Sequence, residues 1–140
     1  MDKRILVGVD GSAGSLRAVT RAIELAVLQH AELWAISVEE VVPRYVETID
    51  EVADANERAR SQFKRLQRQA YDEAKQAGIE LRAEILVGHA AHSIVEYAAD
   101  NDVDLLVVGH SGHSGVWGQF LGTTADKVMR HAHCSVLVVR

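Results

Sequence analysis

The sequence predicts an α/β protein: a five-stranded parallel sheet with helices on both faces. Apolar runs alternate with helical patterns along all 140 residues, which is the arrangement of strand–helix–strand units. The run at 5–9 is continuously apolar, as expected for a strand covered on both faces, and 104–109 is apolar after Asp104. Each inter-strand segment is long enough for a parallel crossover. The length is that of one domain, which we expect to span residues 1–140.

The first half of the chain predicts two strands and two helices. The strand at 5–9 is followed by a turn, GSAGS, in which Ser12 or Ser15 is the expected N-cap of a helix. A second strand is predicted at 33–38. Residues 48–77 contain neither Gly nor Pro and predict a long helix that ends at Gly78. The helical spacing of the first helix is carried by Leu16, Val19, Ile23, Ala26 and Val27.

The second half continues the alternation. It predicts strands at 79–87, 104–109 and 135–139, with helices at 90–99 and 124–133. The first and fourth strands are the most uniformly apolar and should lie at the centre of the sheet. The strand order 3-2-1-4-5 satisfies this and places Asp10 opposite Gly109, where ligands bind in open α/β sheets. The sequence leaves the order 2-1-3-4-5 open.

Residues 109–124, GHSGHSGVWGQFLGTT, form a glycine-rich loop between the fourth strand and the last helix. Gly109 and Gly112 allow positive φ and a close approach of a ligand to the backbone. Gly122 precedes a helix whose first N–H groups attract anions. These amides suit a polyphosphate, together with the hydroxyls of Ser111, Ser114, Thr123 and Thr124. Neither a Walker loop nor GxGxxG after the first strand is present.

The spacing Gly109-x2-Gly112-x9-Gly122-Thr123 fits the G-2x-G-9x-G-[ST] pattern of ATP-binding universal stress proteins. The opening ILVGVDGS, the long second crossover helix and the closing HCSVLVVR also resemble that family, over the whole chain. The resemblance implies an adenine nucleotide alpha hydrolase-like fold and a dimeric module that binds ATP (or AMP or ADP) in a stress response. Alternatives are a weak ATPase, or a dimeric scaffold that binds AMP, a cyclic nucleotide or no nucleotide.

The resemblance also implies roles for individual residues. Asp10 would meet the ribose and adenine region, and the backbone of Val38 would meet the adenine edge. Asp10 has a simpler alternative, because an acid that ends a buried strand often caps the next turn. The full set expected to contact the nucleotide is Gly8, Val9, Asp10, Val38, Gly109, His110, Ser111, Gly112, His113, Gly122, Thr123 and Thr124.

Histidines at 110 and 113 depart from the family, in which many members carry Arg or Lys near the first Gly-x2-Gly. A protonated imidazole binds phosphate better than a neutral one, so affinity should rise as the pH falls from about 8 to 6. Equal dissociation constants at both ends of that range would contradict this hypothesis. The alternative is that both side chains face solvent while backbone amides bind the phosphates.

No catalytic residue and no metal site made of protein side chains is predicted. His89 with His92, and His131 with His133, are spaced like ligand pairs, but structural zinc usually takes four ligands that include thiolates. A magnesium or manganese ion bound through the phosphates is the more plausible metal. Asp126 lies in the first turn of the last helix, where the dipole stabilises an acid.

Composition restricts the partners. The net charge is −5 with no Lys/Arg block, which argues against nucleic acid. No apolar stretch approaches the length of a membrane span or signal peptide, and Cys134 is the only cysteine, which together predict a cytoplasmic protein. Charges alternate through 79–87, whereas SVLVV at 135–139 has none. An unguarded apolar edge strand needs a partner, and the resemblance implies a homodimer through Ser135–Val139.

Overall fold

The computed structural model describes residues 3–40, 49–110 and 121–140. Strands and helices alternate in these ranges, and the sheet order is β3-β2-β1-β4-β5, with all four pairings parallel. The predicted fold class is confirmed, and of the two open orders it is 3-2-1-4-5. The elements are β1 (Arg4–Gly8), α1 (Ala13–Gln29), β2 (Glu32–Glu39), α2 (Ile49–Gln76), β3 (Leu81–Val87), α3 (Ala90–Asp100), β4 (Leu105–Gly109), α4 (Thr123–His131) and β5 (Ser135–Val139).

The sheet separates two hydrophobic cores, because alternate strand residues point to opposite faces. In β1, Ile5 and Val7 pack with α1 and α2, whereas Leu6 packs with α3 and α4. All three side chains have no exposed area. Burial on both faces explains why the central strands have continuously apolar sequences.

Two element boundaries differ from the sequence prediction by two residues, for local reasons, and the others agree to within one residue. The third strand begins at Leu81 rather than at residue 79, because Ile79 N–H donates to Ala74 O (2.9 Å) and closes the end of α2. Gly78 has the positive φ (82°) expected of a helix stop. The last helix ends at His131 rather than at residue 133, since Ala132 takes extended backbone angles.

The long helix α2 is attached to the sheet by a buried hydrogen-bond network. Gln67 Nε2 donates to Ser37 Oγ (3.1 Å) and to Glu84 O (2.8 Å), and Ser37 Oγ donates to Val9 O (2.7 Å). Gln67 and Ser37 are both buried. A buried amide without hydrogen-bond partners costs folding free energy. This network therefore fixes the position of α2 along the direction of β2 and β3.

The two edges of the sheet differ. On β3, Arg82 and Glu84 are exposed, and the Arg82 guanidinium lies 5.3 Å from the ring centroid of Trp34. Burial, together with the neighbouring Glu84 carboxylate, raises the pKa of Tyr97 on this side of the sheet. On β5, residues 136–139 are half-buried and carry no charge. No helix among the described residues has the length and apolarity needed to cross a bilayer.

Candidate functional site

The turn between β1 and α1 is ordered by Asp10 and Ser12. Asp10 Oδ1 accepts hydrogen bonds from Ser12 N–H (2.9 Å) and Ser12 Oγ (2.6 Å). Ser12 Oγ in turn accepts from Ser15 N–H (3.2 Å), so Ser12 is the N-cap of α1. Asp10 therefore caps the turn that follows β1, which is the simpler of its two expected roles. The same residue also lines the cavity described below, so capping and ligand contact are compatible.

A second set of contacts fixes the backbone of this turn. Ser15 Oγ accepts from Gly11 N–H (3.2 Å) and donates to Ser12 O (3.1 Å). Gly11 has φ of 85°, and a Cβ at this position would lie 2.9 Å from Leu66 Cδ1. The glycine is therefore needed for its left-handed conformation, whereas the end of the Leu66 side chain could move away from an added Cβ.

Gly109 is required for a reason that the sequence did not indicate. We expected positive φ here, but among the described glycines only Gly11, Gly78 and Gly88 have it. Instead, a Cβ on Gly109 would lie 2.5 Å from the carbonyl carbon of Gly14. The glycine at the end of β4 thus lets the first turn of α1 pack directly on the strand backbone.

The two ends of the glycine-rich loop meet. Gly122 N–H donates to His110 O (2.7 Å), and His110 N–H donates to Val139 O (2.7 Å) at the end of β5. The His110 side chain is buried, with 8% of its area exposed, and does not line the cavity described below. The predicted site residues Ser111, Gly112 and His113 lie outside the described residues, as does Trp117.

Three helices begin at this edge of the sheet, and they are capped differently. Ser12 caps α1, and Ala90 N–H at the start of α3 donates to the Glu40 carboxylate (3.4 Å). The N-cap of α4 is Gly122, which supplies no side-chain hydrogen bond. The start of α4 is therefore the one of the three most suited to an external anion.

Charged groups near α4 are paired with each other. Both carboxylate oxygens of Asp126 lie 3.1 Å from Arg130 Nε, one turn further along the helix. This pairing supports the structural reading of Asp126 as a helix acid over a catalytic one.

These elements surround a cavity of about 430 Å³ at the carboxyl ends of β1, β2 and β4. The volume is in the range of small-molecule sites, roughly 300–1,000 Å³. It brings together eight of the predicted residues: Gly8, Val9, Asp10, Val38, Gly109, Gly122, Thr123 and Thr124. It also contains residues that the sequence analysis did not select: Ser12, Ser15, Ile36, Glu40, Phe63, Ala90, Ile94, Val108 and Ala125.

The cavity has an apolar part and a polar part. Ile36, Val38, Ile94 and Val108 provide aliphatic surface, whereas the β1–α1 turn and the start of α4 provide hydroxyls and backbone amides. The aliphatic residues come from strand ends and α3, where an apolar sequence predicts only core. This is why sequence reasoning found the polar part and missed most of the apolar part.

No group of three or more potential metal-ligating side chains occurs within 3–40, 49–110 and 121–140. The carboxylates that line the cavity in these ranges are Asp10 and Glu40. A smaller cavity of about 180 Å³ lies at the amino ends of β2 and β3, beside Gly78, and contains none of the predicted site residues.

The fold and the cavity define a parallel α/β protein with a ligand-sized site at the reversal of strand order. The model of the universal stress protein family matches residues 1–140. Universal stress protein YxiE of Bacillus subtilis is 35% identical over 151 residues, with 100% of both chains covered. The chain belongs to the universal stress protein family.

Solved structures agree with this assignment. UspA from Lactobacillus plantarum has a TM-score of 0.91 at 29% identity, with 99% of this chain and 97% of that chain covered. A universal stress protein in complex with cAMP has a TM-score of 0.73 at 32% identity, with 99% and 96% covered.

Proposed function

We propose that this protein is a binding module for an adenine nucleotide, with the phosphates at the start of α4 and the base in the apolar part of the cavity. The observation that carries the proposal is the N-terminus of α4, which has a glycine as its N-cap, receives no side-chain cap from the residues that the structure describes, and lines a cavity of about 430 Å³. Unpaired helix N–H groups bind phosphate without needing a cationic side chain. The hydroxyls of Thr123 and Thr124 add donors at the same place.

The neighbouring residues fit a nucleotide. Asp10 stands beside the polar part of the cavity, where a ribose hydroxyl can donate to its carboxylate. Val38, the penultimate residue of β2, lies at the apolar part and offers its backbone to a base edge. The relative in complex with cAMP, at 32% identity, supports an adenine nucleotide as the ligand. The intact G-2x-G-9x-G-[ST] spacing favours ATP (or AMP or ADP) within that class.

Binding is favoured over catalysis. No lysine or arginine lines the cavity among the described residues, and 111–120 contain neither. Phosphoryl transfer ordinarily depends on positive charge at the transferred group. A magnesium or manganese ion would supply such charge through phosphate oxygens and water rather than through a protein cage.

We further propose that the protein acts as a homodimeric module of a stress response, joined through Ser135–Val139. Strand β5 lies at the end of the sheet order, and residues 136–139 are uncharged and half-buried. An apolar edge of this kind invites pairing with a second strand.

Two measurements test the binding function. Freshly purified protein is denatured, and any released nucleotide is identified by chromatography; an adenine nucleotide is expected. Protein freed of that nucleotide is then titrated calorimetrically with AMP, ADP, ATP and cAMP, with and without magnesium. The absence of heat for all four, in protein whose circular dichroism shows it folded, would refute the proposal. Release of inorganic phosphate from ATP would show turnover.

A further inference from the structure

Phe63 is the one aromatic side chain among the described residues that line the cavity. It comes from α2, which lies outside the glycine motif and outside the β1–α1 turn. Its ring is half-buried, so part of its surface is available to a ligand. An aromatic side chain in a cavity whose other large apolar residues are aliphatic is suited to contact with a flat ring.

The position of Phe63 is fixed by contacts within about one helical turn on either side. Toward the N-terminus, Arg60 Nη2 lies 3.4 Å from the Glu39 carboxylate at the end of β2. Toward the C-terminus, Leu66 packs against the β1–α1 turn at Gly11, and buried Gln67 bonds to β2 and β3. Since α2 can neither slide nor rotate without breaking the Gln67 network, the backbone of Phe63 is held beside the cavity before any ligand arrives.

The opposite wall of the cavity comes from the other face of the sheet. Helix α2 packs in the core that contains Val7 and Val9, whereas Ile94 of α3 belongs to the core that contains Leu6. Phe63 and Ile94 therefore approach the cavity from opposite faces, with the strand ends between them. A planar group inserted at the strand ends would therefore have Phe63 on one side and the aliphatic side chain of Ile94 on the other.

We propose that Phe63 is the stacking residue for the base and gives the site its preference for purines. This rests on the proposed nucleotide-binding function and adds a residue and a selectivity to it. A purine has the larger ring surface, so a stacking wall favours AMP over CMP. The phosphate contacts at α4 are common to both ligands and do not discriminate between them.

The test compares Phe63→Ala and Phe63→Leu with Tyr71→Ala. Tyr71 is a partly exposed aromatic residue two turns further along α2 and does not line the cavity, so it controls for loss of an aromatic side chain from this helix. Dissociation constants for AMP and CMP are measured by calorimetry in each variant, and melting temperatures are recorded beside them.

Phe63→Ala should weaken the binding of AMP by about 5- to 100-fold, the range expected when an aromatic side chain that stacks on a base is removed. The same substitution should weaken the binding of CMP less, so the dissociation constant for CMP divided by that for AMP should fall. Phe63→Leu should lie between wild type and alanine, and Tyr71→Ala should match wild type. Unchanged AMP affinity in Phe63→Ala, or an equal loss for AMP and CMP, overturns the stacking role alone. Wild-type protein that binds no adenine nucleotide overturns both proposals.

Discussion

Replacing Gly109 with alanine would make a methyl carbon overlap sterically with backbone atoms of α1. Its Cβ would lie 2.5 Å from Gly14 C, 2.8 Å from Gly14 O and 2.9 Å from Ser15 N. Carbon atoms in contact prefer separations of about 3.5–4.0 Å, so the shortfall is about 1 Å. All three obstructing atoms belong to the helix backbone and cannot rotate away as a side chain would. Either the end of β4 or the first turn of α1 must move.

The expected cost is about 1–3 kcal/mol of unfolding free energy, which is typical of overpacking in a close-packed interior. For a chain of this size each kcal/mol lowers the melting temperature by about 3–6 °C, so a fall of roughly 3–18 °C is expected. Because Ser12 caps the first turn of α1 and also bonds to Asp10, a shift of that turn should also weaken nucleotide binding.

Gly8→Ala is the matched control, since it adds the same methyl group to the neighbouring strand. Its Cβ would lie 3.6 Å from Ile94 Cδ1 and 3.8 Å from Val108 Cγ1, which are ordinary contacts. Stability should be unchanged or slightly higher, because glycine within a strand costs about 0.5–1 kcal/mol relative to alanine. The new methyl enters the space between two cavity-lining residues, so affinity for AMP should fall while the melting temperature does not.

Differential scanning calorimetry and AMP titration of both variants give the result. If Gly109→Ala melts within about 1 °C of wild type, the close approach of β4 and α1 does not constrain the fold and the reasoning is wrong. If Gly8→Ala binds AMP as tightly as wild type, the base does not reach the part of the cavity near Ile94.

Three further predictions follow from the local contacts. Ser12→Ala removes the N-cap of α1 and should cost about 1 kcal/mol by urea unfolding, whereas Thr20→Ala on the exposed side of the same helix should change stability by less than about 0.5 kcal/mol. Val139→Lys places a charge on the β5 edge and should give monomers by light scattering with an unchanged circular dichroism spectrum; a dimer mass that persists would argue against the edge interface. Burial, with a smaller contribution from the Asp104 carboxylate, raises the pKa of the Cys134 thiol. At pH 8 the native protein should therefore react with iodoacetamide more slowly than the protein in urea, because less thiolate is present, and equal rates would contradict this.

Much of the architecture could be predicted because it depends on local patterns. Apolar runs, continuous or alternating with charged residues, predicted the five strands; Ser12, one of the two expected N-caps, starts α1, and Gly78 ends α2 as expected. The central position of the first and fourth strands also followed, because they are the most uniformly apolar. The boundaries near residues 79 and 133 were missed, since helix-end hydrogen bonds there replace the expected continuation.

The lining of the cavity was predicted only in part. Residues at strand ends and helix starts, such as Asp10 and Thr123, were found because topology alone brings those positions to one edge of the sheet. Phe63 had no sequence signal, because a phenylalanine within a long amphipathic helix predicts only packing. Its place in the cavity depends on the position of α2 along the strand direction, and the Gln67 hydrogen bonds set that position.

The sequence by itself determined the class of fold, the family and the positions where phosphate-binding backbone is expected, since these follow from hydrophobic period, glycine spacing and helix capping. The tertiary structure alone decided that strand order is 3-2-1-4-5, that Gly109 serves the packing of α1, and that an aromatic ring from α2 reaches the cavity. These depend on contacts between residues far apart in the chain, whose distances no local pattern encodes.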